Sequence, residues 1–469
     1  MNKYKTLFSN TLLISLGTFG SKLLVFLMVR FYTEYLTPSD YSTADLITQT
    51  ANLLFPIISL GITEGVFRFA LDKDADRKSV FSFGAGAITL GALMFAVIIP
   101  LLNLVQSFES FVWLIVVYTM ASCYHALCSQ YIRAIGNTAL FAIQGIINTI
   151  LVIALNIIFL TVFDLGVTGY VLSVALADSL CTVFLVLKEK LWRVITFKPN
   201  KSILPSLLKY SIPLIPTTVF WWITSVSDRY MVTGFIGSEA NGLYAVSYKL
   251  PTLLTLVSTV FMQAWQFSAV VESQGEGEEH IEFFGQIWRS FQAVMFLAGS
   301  AIIAFTKPVM KILTTDEFFG AWEYVPVLAI SMVFTALTSF MGTVYVVNKK
   351  SVISFATALL GAVINIILNL ILIPSSLGVQ GAAIATAISY IVVFVVRAAN
   401  SRKYIKFKLY TPYVMLNSLI VTLQTVTMLL GVKYWIIIQA ACVIALIVIN
   451  FKFFIGFIKK IFSSVLRGK

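Results

Sequence analysis

Residues 139–162 read ALFAIQGIINTILVIALNIIFLTV, and after a short break around Asp164 residues 167–187 read VTGYVLSVALADSLCTVFLVL. The first run carries no charge and the second carries one, Asp178. Coiled at about 1.5 Å per residue, each is long enough to cross roughly 30 Å of hydrocarbon. The pattern recurs along the chain and predicts about fourteen spans, at 10–32, 41–67, 80–105, 111–132, 139–162, 167–187, 211–235, 242–270, 286–306, 324–347, 352–373, 381–397, 411–431 and 434–451. The expected fold is an all-α polytopic membrane protein.

Composition agrees. Hydrophobic residues make up 59% of the 469 positions and charged residues 12%, about half the charged share of a soluble domain. The net charge of +12 does not point to nucleic acid, because the cations lie between spans and are not gathered on a folded basic face. Cys123, Cys128, Cys181 and Cys442 fall inside apolar runs at spacings that suit neither a disulfide framework nor a zinc site, and read as packing residues. The first span is expected to be retained, since Lys22 interrupts it and no small-residue cleavage site closes it.

Lys and Arg set the orientation, because cytoplasmic loops hold their excess. With the N-terminus inside, about twenty-six of the 33 basic residues fall in inner segments, Arg289 and Arg397 counted among them, against Lys307, Lys311 and Lys433 outside. Both termini are therefore expected in the cytoplasm. The acidic inner stretch Glu272 to Glu282 contains Gln274-Gly275-Glu276-Gly277, which reads as a linker.

The halves are similar. Leu36-Thr37-Pro38-Ser39-Asp40-Tyr41-Ser42 precedes Ile236-Gly237-Ser238-Glu239-Ala240-Asn241-Gly242 by 200 positions, and Asn156 with Leu165-Gly166-Val167-Thr168-Gly169 is matched by Asn369 with Leu377-Gly378-Val379-Gln380-Gly381. Repeats of six spans each begin on the same side, so they are parallel repeats about the membrane normal. The expected organisation is an N-terminal lobe over 1–190, a basic cytoplasmic linker over 191–210, a C-terminal lobe over 211–400, and two further spans with a cytoplasmic tail over 401–469.

Ordered motifs then carry a resemblance: Leu36-Thr37-Pro38-Ser39-Asp40-Tyr41 with Ala44-Asp45-Leu46, Gly61-Ile62-Thr63-Glu64-Gly65-Val66-Phe67-Arg68-Phe69, Ser211-Ile212-Pro213-Leu214-Ile215-Pro216 leading to Ser227-Asp228-Arg229-Tyr230, Gly242-Leu243-Tyr244 with Tyr248-Lys249-Leu250, and Gly378 to Thr386. Across nearly its whole length the chain resembles the Wzx-type polysaccharide and O-antigen flippases of the multidrug/oligosaccharidyl-lipid/polysaccharide (MOP) exporter superfamily. It departs from them at Ser42, where the turn usually has glycine. The resemblance implies a V-shaped, two-lobed MATE-like fold in a bacterial inner membrane. It also implies alternating access acting on an undecaprenyl-pyrophosphate-linked oligosaccharide, with no catalysis and no resident cofactor beyond H+ or Na+ coupling. The expected surroundings are membrane lipid, a polysaccharide polymerase and glycosyltransferases, the chain itself being a monomer. A multidrug or cation antiporter of the same superfamily and a membrane-embedded glycan polymerase or ligase are the alternatives. No G-x-x-x-x-G-K-[ST] fingerprint is present.

A charge at mid-bilayer costs at least about 2.5–3.5 kcal/mol and marks a functional candidate. Four cations qualify, Lys22, Arg30, Arg229 and Lys249, as a clamp for a pyrophosphate anion. Arg30 and Arg229 also read as interface residues near span ends. Polar stripes on four spans fit the lining of a wet cavity or helix-to-helix hydrogen bonding. They run through Thr11, Ser15, Thr18 and Lys22; through Asp45, Gln49, Asn52, Ser59 and Thr63; through Thr217, Trp221, Thr224 and Asp228; and through Tyr248, Thr252, Thr255, Thr259 and Gln266. Asp45 and Asp228 lead as carboxylates that balance these cations or carry the coupling ion, with Asp178 and Glu64 behind them. Asp178 reads equally as a satisfied structural group and Glu64 as an i, i+4 ion pair with Arg68. His125 reads as a hydrogen-bonded packing residue or a proton relay. Pro56, Pro213, Pro216 and Pro251 should kink or loosen their spans.

Overall fold

The computed structural model describes residues 20, 23–72, 74–103, 108, 110–259, 261–262, 278–348 and 350–467. These form helices joined by short turns: α1 (23–35), α2 (Pro38–Ile58), α3 (Ile62–Ala70), α4 (Arg77–Leu102), α5 (Val112–Ala134), α6 (Thr138–Val162), α7 (Gly166–Glu189), α8 (Leu204–Ser211), α9 (Leu214–Phe235), α10 (Ser238–Ser247), α11 (253–259), α12 (Glu278–Leu313), α13 (Val325–Val347), α14 (Ser351–Leu372), α15 (Val379–Ser401), α16 (Thr411–Leu429) and α17 (Trp435–Arg467). The expected all-α polytopic class holds. Among the described residues nine helices are long and apolar enough to cross a membrane, or ten if α2 and α3 make one span. The other expected spans do not enter this count: half of the one at 10–32 lies outside the described residues, α9 is too polar to qualify, residues 248–252 interrupt the one at 242–270, and the last is described as an apolar helix only over Trp435–Phe451.

The chain divides into two compact units, one over Phe8–Trp222 and the other from Ile223 onward. In the first, α5 packs against α2, α3, α4, α6 and α7. Its spans start at polar caps. Thr37 and Asp40 form a reciprocal capping box ahead of α2, Asn137 caps α6, and Asp76 caps α4 through Ser79. Those Ser79 hydrogen bonds hold the Asp76 carboxyl below its ordinary range. The stretch after α7, expected as a basic linker, is tied to α4: the Thr196 amide donates to Ser82 Oγ and the Asn200 amide to Ser79 Oγ, both at 2.8 Å.

Between α2 and α3 the axis turns by 55°. Pro56 lies in the last turn of α2, and Leu60 and Gly61 both take left-handed backbone angles, with φ of 52° and 62°. Two such residues in succession cannot continue a right-handed helix. A Cβ at Gly61 would stand 2.8 Å from the Ser211 carbonyl oxygen, and one at Gly91 would run into the Ile58 carbonyl at the same break. Pro213 separates α8 from α9 and Pro251 falls in the break between α10 and α11, whereas Pro216 lies in the first turn of α9 without interrupting it, because an amide there has no partner within the helix to lose.

In the second unit α13 is the most enclosed helix, packed against α12 and α15. Phe284, Trp288 and Phe291 of α12 meet Phe340 of α13. Helices α16 and α17, the two beyond the duplication, pack on α12. Asn417 of α16 and Asn450 of α17 exchange amide hydrogen bonds. Association within lipid rests on such polar contacts and on small residues, because hydrocarbon offers little hydrophobic drive. On α15, Ala382, Ala383 and Ala385 are buried. Local geometry repeats between the units as expected from the sequence. Asn156 and Asn369 are both fully buried, and Gly169 and Gly381 both lie against the end of the preceding helix.

Two arginines counted with the cytoplasmic segments are buried inside helices instead. Arg289 on α12 donates to Asn450 Oδ1 at 2.8 Å and covers the Tyr413 ring at 3.9 Å. Arg397 on α15 donates to Thr357 Oγ1 and to the Thr338 and Ser354 carbonyls. Arg289 stands just before a long apolar run and Arg397 just after one, so counting charges assigned them to the span ends, whereas polar partners on adjacent helices hold them inside.

Replacing Gly91 by Val should destabilise the first unit by about 1–3 kcal/mol through overpacking, read as a lower Tm of the detergent-solubilised protein. An unchanged Tm would show that the Ile58 carbonyl can move aside.

Candidate functional site

Two buried polar clusters stand out, one in each unit. In the unit from Ile223 onward the centre is Asp228 on α9, fully buried. Its Oδ2 accepts from Tyr244 Oη at 2.6 Å, Tyr248 Oη at 2.9 Å and Thr386 Oγ1 at 3.0 Å. Its Oδ1 accepts from the Arg229 backbone amide at 2.9 Å. Behind this shell Asn365 donates to Thr386 Oγ1, and its own Oδ1 accepts from Ser227 and Asn369. Helices α9, α10, α14 and α15 all contribute, with Tyr248 just past the end of α10. An ionised carboxylate can only accept, so hydroxyl and amide donors are the partners that let it remain away from water.

The Arg229 guanidinium lies 4.5 Å from the centre of the Tyr248 ring and is buried. Thr224, also buried, is one turn before Asp228. Lys249 is half-buried next to Tyr248. Thr252 and Thr255 turn their hydroxyls onto the carbonyls of Lys249 and Thr252, so these two members of the stripe bond to their own backbone.

In the first unit a second cluster joins α5, α6 and α7. Asp178 on α7 accepts from Ser122 at 2.7 Å and Asn148 at 2.8 Å, and lies 3.1 Å from His125 Nδ1. His125 Nε2 is 2.7 Å from Gln144 Oε1, and Gln144 Nε2 donates to Ser129 Oγ at 3.1 Å.

The remaining expected residues are more scattered. Lys22, with Thr11, Ser15 and Thr18, lies outside the described residues, as do Gln266 and the Gln274–Gly277 linker. Arg30 is exposed and paired with Glu34 at 2.8 Å. Asp45 is buried, with the Gln49 amide 3.5 Å away, whereas Asn52 and Glu64 are exposed. The ion pair expected between Glu64 and Arg68 does not form: Arg68 pairs with Asp72 at 3.0 Å. Glu64 sits in the first turn of α3, where unpaired amide groups favour its charge, while Arg68 sits in the last turn beside Asp72.

Sequence reading put Asp228 and Tyr248 on polar stripes of two spans without pairing them, and missed Tyr244, Thr386, Asn365 and Asn369 as their partners. It also treated His125 and Asp178 separately. The available signal was the i, i+3, i+7 spacing of Ser122, His125 and Ser129 with the i, i+4 spacing of Gln144 and Asn148.

Residues 7–266 match the profile of a family described as polysaccharide biosynthesis protein. The chain belongs to this family. It is 27% identical over 220 residues to the probable low-salt glycan biosynthesis flippase Agl15 of Haloferax volcanii, covering 45% of each chain. It is 26% identical over 256 residues to the uncharacterized membrane protein MJ1375 of Methanocaldococcus jannaschii, covering 51% of this chain and 59% of that one. The chain thus spans about half the length of these curated relatives. Among solved structures it is similar to the lipid II flippase MurJ in an inward closed conformation, with TM-score 0.68, 16% identity and coverage of 94% and 98%. It is also similar to a multidrug resistance MATE transporter of the MOP superfamily in an inward-facing conformation, with TM-score 0.66, 14% identity and coverage of 82% and 94%. The fold is therefore MATE-like.

Removing one hydroxyl with Tyr244→Phe should cost about 1–3 kcal/mol by withdrawing a donor from a buried carboxylate, measured as a lower Tm. No change would mean that Tyr248 and Thr386 suffice.

Proposed function

We propose that this chain is a flippase that carries an undecaprenyl-pyrophosphate-linked oligosaccharide repeat unit from the cytoplasmic to the outer leaflet by ion-coupled alternating access. Family membership supports the pathway, and the observation that carries the mechanism is Asp228, a carboxylate enclosed by three hydroxyls within apolar helices. Such a group is costly in a membrane. It serves a transporter by taking up and releasing a small cation, proton or sodium, because each occupancy changes what the surrounding hydroxyls can donate to. Asp45 is proposed as a second such carboxylate, on α2 of the first unit, with Asp178 and Glu64 as further charge-balancing groups. Lys22, Arg30, Arg229 and Lys249 are proposed to meet the pyrophosphate, with Gln49, Asn52, Thr224, Tyr248 and Thr252 as polar contacts to the head group.

Under this reading the chain is a carrier and not an enzyme, and works as a monomer in a bacterial inner membrane with both termini cytoplasmic. Moving Arg289 and Arg397 from the loops into the helices leaves the basic excess strongly on the inner side. Glycosyltransferases would supply the repeat unit and a polymerase would consume it. Outward movement of the anion is favoured by an inside-negative potential, by about 2.3 kcal/mol per charge per 100 mV.

The test is reconstitution into proteoliposomes with a fluorescent prenyl-pyrophosphate oligosaccharide, scoring how fast the head group becomes accessible on the opposite face. Wild-type protein should exceed protein-free vesicles, and Asp228→Asn should slow the rate about tenfold or more, a change of about 1.4 kcal/mol in barrier. Lys22→Ala should also lower the rate; full activity would remove Lys22 from the binding residues. Wild-type vesicles no faster than empty ones would overturn the reading.

A further inference from the structure

The cluster on α5, α6 and α7 has a hydrogen-bond arithmetic that does not balance for a neutral histidine. His125 Nδ1 faces a carboxylate oxygen, Asp178 Oδ1, at 3.1 Å, and Nε2 faces an amide oxygen, Gln144 Oε1, at 2.7 Å. A neutral imidazole has one N–H and one bare lone pair, whereas both neighbours are acceptors. In this arrangement the other end of the Gln144 amide, Nε2, donates to Ser129 Oγ. As arranged, the pair therefore holds one proton more than a neutral ring beside an ionised carboxylate. With that proton the two side chains sum to zero charge; without it they leave a net negative charge in an apolar setting, which is disfavoured.

We propose that His125 and Asp178 form a proton-binding site in the first unit, holding one exchangeable proton per chain, and that its release is coupled to transport. The coupling clause rests on the flippase reading; the site itself does not. Release is feasible because the carboxylate keeps Ser122 and Asn148 as donors, so it stays satisfied when the ring is neutral. The bare Nε2 would then face an amide oxygen. A half-turn of the Gln144 amide resolves this by turning Nε2 toward the ring and Oε1 toward Ser129, whose hydroxyl can donate as readily as accept. The protonation state of α5 is thereby transcribed into an amide orientation on α6. The ring keeps 16% exposure and Asp178 12%.

Among the described residues no other charged side chain pairs with His125 or Asp178. Tyr118 on α5 and Cys181 on α7 are the titratable groups that feel Asp178. Helix α6 carries no charged residue, and the other helices packed on α5 bring Asp45 on α2, Glu64 and Arg68 on α3, and Arg77 and Lys78 at the start of α4.

The chain has only two histidines, His125 and His280, so a His280→Asn variant reports His125 alone by solid-state nitrogen-15 NMR in lipid bilayers. At pH 7 both ring nitrogens should carry hydrogen, and adding Asp178→Asn should leave a neutral ring with one bare nitrogen. A bare nitrogen in the parent at pH 6, or a ring still doubly protonated once the Asp178 carboxylate is replaced, would overturn the site. Should the Asp178 variant not fold, Gln144→Leu should leave a smaller doubly protonated fraction than the parent at pH 8, and an equal fraction counts against the proposal. For coupling, an imposed pH gradient should change the flipping rate of wild-type proteoliposomes and leave His125→Gln unaffected, its ratio with and without the gradient falling to about one. A His125→Gln variant that keeps the wild-type response overturns coupling while flipping stands. Wild-type vesicles that do not flip overturn the proposed function, and the coupling clause with it, without touching the NMR assignment.

Discussion

An ionised side chain among apolar helices has to find its hydrogen-bond partners on neighbouring helices, because lipid has none to offer. This constraint organises both units. Asp228 recruits hydroxyls from the residues around α10 and from α15, and Asp178 recruits donors from α5 and α6. Each carboxylate thus fixes the packing of three or more helices at once. The buried arginines obey the same rule in reverse, with Arg397 reaching two carbonyls and a threonine hydroxyl.

The two carboxylates are handled differently. Around Asp228 the donors are mostly hydroxyls, which can rotate to serve a carboxylate, a carboxylic acid or a bound cation. Around Asp178 one donor is an imidazole, which can itself change charge. A transport cycle that needs one small ion to stay while another leaves can draw on this contrast, because the two sites answer to different chemistry.

Much of the fold was legible because a membrane helix needs only length and apolarity, and runs such as 139–162 provide both without ambiguity. Spans built from α9 or from α10 and α11 were harder to place, since polar residues and Pro251 break the apolar signal where the chemistry is densest. Asp228 and Tyr248 were readable as members of stripes, because helical periodicity tells which residues share a face. Thr386 and Asn365 were not, since they come from helices more than 100 positions away and periodicity carries no information about which face meets which. Arg289 and Arg397 were misplaced for a related reason: a charge count registers where a basic residue falls in the sequence and is blind to an asparagine or a threonine waiting on an adjacent helix.

The break between α2 and α3 bears on how this chain can vary. Leu60 and Gly61 hold left-handed angles, Gly61 lies against the Ser211 carbonyl, and the Ile58 carbonyl occupies the space a side chain would need at Gly91. Straightening the span would therefore oblige α8 and α4 to retreat together. Side chains at positions 61 and 91 are thus shut out by backbone carbonyls, which no exchange of the side chain at Ser211 or Ile58 removes.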